Sequence, residues 1–340
     1  MRLRLPGKKG LSLFAGVTVA MCLALAVMLG GCKTTEPTEP ANEPANEPEA
    51  TEPSVPASYT FTDDLGFEVT VDNPERVVAC MGSFSNIWTL AGGTLVGASS
   101  DSFEDYGIDA ASVADVGYFA EPDLEKIISL SPDFVIMTGA STGKDGSASQ
   151  VGLRDALVAS NIQVAYFNVT VFEDYLKMLE TCCAITGRDD LYETNGLAVE
   201  RQIADIKKNA STQTSAPTVL LMTTYSGGTR VQNSSTMTGA MLAELGAVNL
   251  ADQNPSLLRD FSVESVIELN PDYILVSPMG NDDAAAMKNL EEATAANPAW
   301  ATLDAVKNGR YLTLDRTLFQ YKPNARWSTS YQTLYDILYS

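Results

Sequence analysis

Two stretches of fourteen residues in this chain share one design. Leu124–Met137 reads LEKIISLSPDFVIM and Val263–Val276 reads VESVIELNPDYILV, at a constant offset of 139 residues. Each opens with an amphipathic helical pattern that carries Glu in second place. A Ser-Pro-Asp or Asn-Pro-Asp turn follows, and then an apolar run with strand character. An unbroken apolar run has no polar face to give to water, so it reads as a strand covered on both sides, as in a parallel layer. The duplication therefore predicts two α/β lobes of similar design. Two lobes imply a cleft between them, and Glu125 and Glu264 imply a two-point contact.

The remaining segments extend this pattern. FTDDLGF at 61–67 with EVTV at 68–71 reads as a hairpin turning at Asp64-Leu65-Gly66. Arg76–Cys80 is an apolar strand, Met81–Ser85 a loop, and Asn86–Ala91 a helix stopped by Gly92-Gly93. Short strands at Leu95–Ala98 and Ile162–Phe167 alternate with helices. In the second half, Thr218–Met222, the second repeat and Gly309–Leu314 supply strands. Helices are expected at Met237–Leu245, from about Ala284, and at Ser328–Tyr339. Val171–Lys208 has long helical periodicity, interrupted near Ile185-Thr-Gly-Arg188, and Tyr192–Lys208 reads as one long helix joining the lobes. The expected fold class is α/β, with two Rossmann-like lobes of parallel-rich sheets joined by one long interdomain helix. The expected boundaries are an N-terminal lobe at 59–170, a helical linker at 171–210 and a C-terminal lobe at 211–340.

Arg2, Arg4, Lys8 and Lys9 precede the apolar stretch Leu11–Leu29, the arrangement of a signal peptide. Its end, Leu29-Gly30-Gly31-Cys32, resembles a bacterial lipobox, which implies cleavage after residue 31 and lipidation of Cys32. A single membrane-spanning anchor is the alternative. Residues 32–58, rich in Pro and Glu, read as a disordered tether. The folded part is thus expected outside the cytoplasm, lipid-anchored to the outer face of the bacterial cytoplasmic membrane. The chain has 43 acidic against 22 basic residues, a formal net charge of −21. That balance disfavours nucleic acid and anionic membrane as partners but not an anionic ligand in a local basic site. Of the cysteines, Cys80 reads as a core residue, and Cys182 and Cys183 are neighbours on a helix. They set no disulfide framework, and a link from Cys80 to either stays open.

There is no histidine. This excludes Ser-His-Asp and Cys-His catalysis and zinc sites of the HExxH kind, and it disfavours a site for bare transition-metal ions. No catalytic residue, metal ligand or intrinsic cofactor is expected, and the chain is read as a binding protein rather than an enzyme.

Several motifs then fall in a telling order. The lipobox and tether precede a DDLG hairpin. Asn73-Pro-Glu-Arg76 leads into a strand and a Met-Gly-Ser loop. Pro122-Asp-Leu-Glu-Lys-Ile127 is followed by Ser131-Pro-Asp133, the second half repeats that unit, and Tyr321-Lys-Pro-Asn-Ala-Arg-Trp327 lies near the end. Together these resemble the substrate-binding lipoproteins of ABC importers for iron–siderophores, haem and cobalamin, over nearly all of residues 59–340. The resemblance implies a ligand held between the lobes and a Glu on each lobe that docks with the transmembrane permease, here Glu125 and Glu264. Each would stand near the positive end of its helix. Ordinary stabilisation of a first helical turn is the plainer role. The resemblance further implies a monomer that delivers a small-molecule metal complex, with a ferric siderophore as the expected ligand and haem or cobalamin as alternatives. A non-transport adhesion or sensor lipoprotein is the rival reading.

Ligands of open α/β sheets bind beyond the C-terminal strand ends. That rule selects Ser83, Phe84, Ser85, Tyr118 and Thr138 in the first lobe and Tyr225, Arg230 and Ser277 in the second. For the aromatic residues, packing in the core or under a loop is an equal alternative. The loop at 319–327 adds Phe319, Tyr321, Lys322, Arg326 and Trp327, with Arg326 leading because a guanidinium can grip a carboxylate with two hydrogen bonds. The competing account starts the terminal helix here, with Trp327 buried and Arg326 capping the surface.

Overall fold

The computed structural model describes residues 58–141, 149–259, 261–280 and 283–340. The signal peptide, Cys32 and all but the last residue of the tether lie outside the described residues.

The two repeat copies fold alike. Helix Leu124–Ser129 leads to strand Phe134–Thr138, and helix Val263–Leu269 leads to strand Tyr273–Pro278. Ser131 and Asn270 occupy the same place in the two turns and both are left-handed, at φ 47° and 42°. The Asp two residues later explains why the turn is repeated. Asp133 accepts the backbone N–H groups of Glu75 and Arg76 at 2.8 and 3.1 Å. Asp272 accepts the backbone N–H and the hydroxyl of Thr218 at 2.8 and 2.7 Å. Each carboxylate thus holds the start of the neighbouring parallel strand, Val77–Ala79 or Thr218–Tyr225, in register.

The first sheet is wholly parallel, in the order Ala114–Asp115, Gly97–Ala98, Val77–Ala79, Phe134–Thr138, Gln163–Phe167. The second runs Gly228–Gln232, Thr218–Tyr225, Tyr273–Pro278, Tyr311–Thr313, with Val248–Asn249 beside the start of Thr218–Tyr225. Only Gly228–Gln232 is antiparallel there. The DDLG hairpin joins Tyr59–Thr62 to Glu68–Val71. Its Asp63 accepts the N–H groups of Leu65 and Phe67 within the turn and that of Tyr166 on the sheet edge, at 3.0, 2.9 and 3.0 Å.

Alternate strand residues serve different cores. Val77 and Ala79 face a cluster that continues through Phe172, Tyr175 and Ile203 to Val219, Leu275, Trp327 and Leu334. Val78 and Cys80 face a separate cluster on the other side of the first sheet. Both lobes and the connecting helices therefore share one apolar core. Cys80 lies on the opposite face from Cys182 and Cys183, and all three thiols are free, which answers the disulfide question. Burial raises the pKa of Cys80 and of Cys183 to about 12.

The link between the lobes is helical, with the expected interruption at Gly187 and the expected long helix after it. Phe172–Thr186 ends at the left-handed Gly187, and a second helical stretch runs from Asp189 to Ser211 through a π turn at Glu193–Leu197. A Cβ on Gly196 would meet Leu176 at 2.9 Å, so the glycine lets the two helices cross closely. One difference from expectation is local. The helix expected from Asn86 begins at Gly82 and runs to Leu90. The Met81 carbonyl accepts the N–H groups of Phe84 and Ser85 at 3.0 and 2.9 Å, which winds the expected loop into the first turn.

Candidate ligand-binding site

A cavity of about 440 Å³ opens between the lobes. Its first-lobe wall comes from the segments after three strands: Met81 and Ser83, then Ser100–Tyr106, then Tyr118 and Phe119. Met279, Gly280 and the stretch Gln320–Lys322 form the other wall. The site therefore lies beyond the C-terminal ends of parallel strands in both lobes. Its volume falls within the range of small-molecule sites, about 300–1,000 Å³.

The 320–327 segment straps the lobes together. Tyr106 donates its hydroxyl to the Lys322 carbonyl at 3.2 Å. Asn324, left-handed at φ 51°, donates its amide to the Ser83 carbonyl at 2.9 Å and to Asn86 Oδ1 at 2.8 Å. The Tyr106 and Tyr321 rings lie 6.5 Å apart, one from each lobe.

Charge is concentrated on the first-lobe wall. Helix Asp101–Tyr106 presents Asp101, Glu104 and Asp105 to the cavity. Burial raises the Asp101 pKa, against hydrogen bonds from Ser99 and from the Gly82 N–H, the latter at 2.8 Å. A Cβ on Gly82 would stand 2.6 Å from Asp101 Oδ2, so only glycine lets that carboxylate approach the helix start. Burial also raises Asp105; Arg316 opposes the shift, while Asp101 and Glu104 reinforce it. Across the cavity, burial lowers the Lys322 ammonium pKa and the Asp101 charge resists that change. Arg316 stands at the margin, 3.0 Å from Asp283 and with its guanidinium 4.8 Å from the Tyr321 ring centre.

Residues 78–318 match the periplasmic binding protein family, a stretch of well over half the chain. The chain belongs to that family. An ABC transporter substrate-binding lipoprotein, YhfQ of Bacillus subtilis, described as putative, is 24% identical over 277 residues, covering 77% of this chain and 82% of that one. The Fe(3+)-citrate-binding protein YfmC of the same organism is 25% identical over 261 residues, 75% of this chain and 77% of the relative. Among solved structures, the petrobactin-binding protein YclQ of Bacillus subtilis superposes with a TM-score of 0.67 at 22% identity, covering 83% of this chain and 99% of the other. The fold is that of a bilobed class III binding protein, and the family role is non-enzymatic.

Of the residues expected at the binding protein's site, Ser83, Tyr118, Tyr321 and Lys322 line the cavity. Ser277 and Phe319 line a smaller chamber of about 100 Å³, and Gln320 borders both spaces. The others lie elsewhere. Phe84 packs edge-on against Phe167 in the core, and Ser85 pairs with Ser102 at 2.9 Å, because the earlier helix start turns both inward. Thr138 is buried, its N–H donating to Gln150 Oε1 at 2.9 Å and its hydroxyl accepting the Ala140 N–H at 3.1 Å. Tyr225 and Arg230 sit at the end of the antiparallel hairpin, guanidinium 5.5 Å from the ring centre. Trp327 is core, edge-on to Phe172, and Arg326 bonds Thr317 Oγ1 and the Thr317 carbonyl at 3.4 and 3.2 Å. The competing account of the last loop thus describes these two residues.

Sequence reasoning passed over Asp101, Glu104, Asp105, Tyr106 and Arg316. The strand-end rule that chose Ser83 would have chosen the first four, had it been applied after Leu95–Ala98. Glu125 and Glu264 are both exposed in the first turns of corresponding helices. Glu264 also accepts Ser262 Oγ and Asn297 Nδ2, each at 3.2 Å, and its pKa is lowered by its own backbone N–H and then by Ser262.

Proposed function

We propose that this protein is the extracytoplasmic solute-binding component of an ABC importer and that it captures an iron-containing small molecule, of ferric siderophore type, between its lobes. The observation that carries the reading is the interlobe cavity itself. It lies at the strand ends of both sheets, is walled by Tyr106, Tyr118, Phe119 and Tyr321, and belongs to a chain of the periplasmic binding protein family. A relative that binds ferric citrate supports iron in the cargo. Among the described residues no group of three or more Cys, Asp or Glu side chains is placed to hold a metal ion, so the iron would arrive already chelated.

The protein then acts by capture and presentation. The aromatic walls supply apolar contact, and Ser83, Gln320 and Lys322 supply polar contacts to orient the complex. Glu125 and Glu264 present one carboxylate per lobe to arginines of the permease. Cys32 carries the lipid that keeps the protein at the outer face of the cytoplasmic membrane, and it works as a monomer. Among the described residues no helix is long and apolar enough to cross a membrane.

The test is recovery of the protein with its native ligand, followed by absorption spectroscopy and mass determination. A visible charge-transfer band and a ferric chelate mass are expected; a Soret band or a corrinoid spectrum would replace the siderophore reading with haem or cobalamin. For docking, Glu125→Arg with Glu264→Arg is expected to abolish importer-dependent uptake while leaving ligand affinity unchanged. Uptake that survives the double reversal would refute the docking role.

A further inference from the structure

The charge of the cargo is legible in the cavity. Asp101, Glu104 and Asp105 all border it from one short helix. Among the described residues Lys322 is the single basic one on its lining, and it faces Asp101. Arg316, at the margin, is engaged by Asp283 at 3.0 Å and also acts on Asp105, which leaves Glu104 the freer of the two carboxylates. Among the described residues neither Glu104 nor Asp105 takes part in an ion pair.

A second observation marks the same wall as built for a ligand. Ser83 is only 2% exposed and lines the cavity, and its Oγ lies beside the Tyr106 hydroxyl without a well-formed hydrogen bond. A buried hydroxyl so poorly paired is costly, and a ligand oxygen would relieve it. The rings of Tyr106, Tyr118, Phe119 and Tyr321 add faces that attract cations. The chain's net charge of −21 works in the same sense at longer range, attracting cations and repelling polyanions.

We propose that the cavity selects a ferric complex that is neutral at its metal core and carries a protonated amine, with Glu104 and Asp105 facing the ammonium and the Ser83 hydroxyl meeting a ligand oxygen. Three monoanionic bidentate groups, such as hydroxamates, balance the ferric charge. Three dianionic catecholates leave a trianion, which this wall would repel. The inference rests on the solute-binding reading above and deepens it.

The experiment is a titration of the purified protein, followed by intrinsic fluorescence and calorimetry. The probes are a ferric trihydroxamate with a free primary amine, its N-acetyl derivative, a ferric tricatecholate, ferric citrate, and the iron-free cations choline and spermidine. The amine complex is expected to bind about tenfold or more tightly than its acetyl derivative, with the ratio shrinking as salt rises. In Glu104→Gln with Asp105→Asn that ratio is expected to fall close to one. Tighter binding of the catecholate or citrate complex, or an amine-to-acetyl ratio that is near one in the wild type or unmoved by the double variant, would overturn charge selection while the iron reading stands. Binding of choline or spermidine without any ferric complex would overturn the iron reading and keep charge selection. Binding of no probe would overturn both.

Discussion

Asp133 and Asp272 stand one repeat apart and each satisfies backbone donors at the start of a neighbouring strand. Their role was hidden in the sequence, where Ser-Pro-Asp and Asn-Pro-Asp show only a turn. The turn is local, whereas the strand that the carboxylate holds lies more than fifty residues away. Asp272→Ala is expected to cost about 1 kcal/mol in urea unfolding, since these are partly solvated bonds. Asp105 offers a prediction in pH. Burial holds its carboxyl above the ordinary value, with Asp101 and Glu104 adding to the shift and Arg316 opposing it. A carboxyl whose folded pKa exceeds its unfolded one opposes folding once ionised, and that cost disappears as pH falls below both values. Asp105→Asn should therefore be more stable than the wild type at pH about 7, with the gain fading towards pH about 4. Denaturant midpoints of the two proteins across that range check the sign.

At the scale of elements, the helix Gly82–Leu90 decides much of the site. Its strand-side start was legible, because Arg76–Cys80 is apolar and Met81-Gly82-Ser83 reads as a break. Its true first residue was not legible. The Gly82 N–H finds its acceptor in Asp101, on a different element, and only the assembled lobe supplies that partner. Starting the helix four residues early turns Phe84 and Ser85 into the core and leaves Ser83 on the cavity wall. The strap at 320–327 shows the same dependence. Five candidates were crowded at 319–327 by sequence, and the left-handed Asn324 sorts them by pinning the strap to the Ser83 carbonyl. Asn324→Ala removes two interlobe hydrogen bonds and places a Cβ residue without a polar side chain at positive φ. A loss of about 3 kcal/mol is expected. Asn324→Gly, which removes the bonds but not the permitted φ, should lose less; thermal unfolding of the two variants separates the contributions.

For the whole molecule, the decisive feature is the apolar cluster that runs through both lobes and the helices between them, beside a smaller cluster on the far face of each sheet. Lobes that share a core cannot separate without exposing it, at roughly 25 cal/mol per Å² of apolar surface. One cooperative unfolding transition is expected by calorimetry, with no separate melting of the two halves. Small-angle scattering is expected to show no measurable change in radius of gyration on saturation with ligand. Two resolved transitions would mean that the lobes are energetically independent.

Sequence alone determined the two-lobed α/β plan, most of the strands and the paired glutamates, because apolar periodicity and turn chemistry act between near neighbours in the chain. The tertiary structure decided which strand-end residues meet the ligand space. That outcome depends on partners far apart in sequence: Asp101 with the Gly82 N–H, Asn324 with Ser83, and Lys322 with Asp101. It also disclosed the acidic wall, since Asp101, Glu104 and Asp105 are three carboxylates among 43 acidic residues until folding sets them on one cavity.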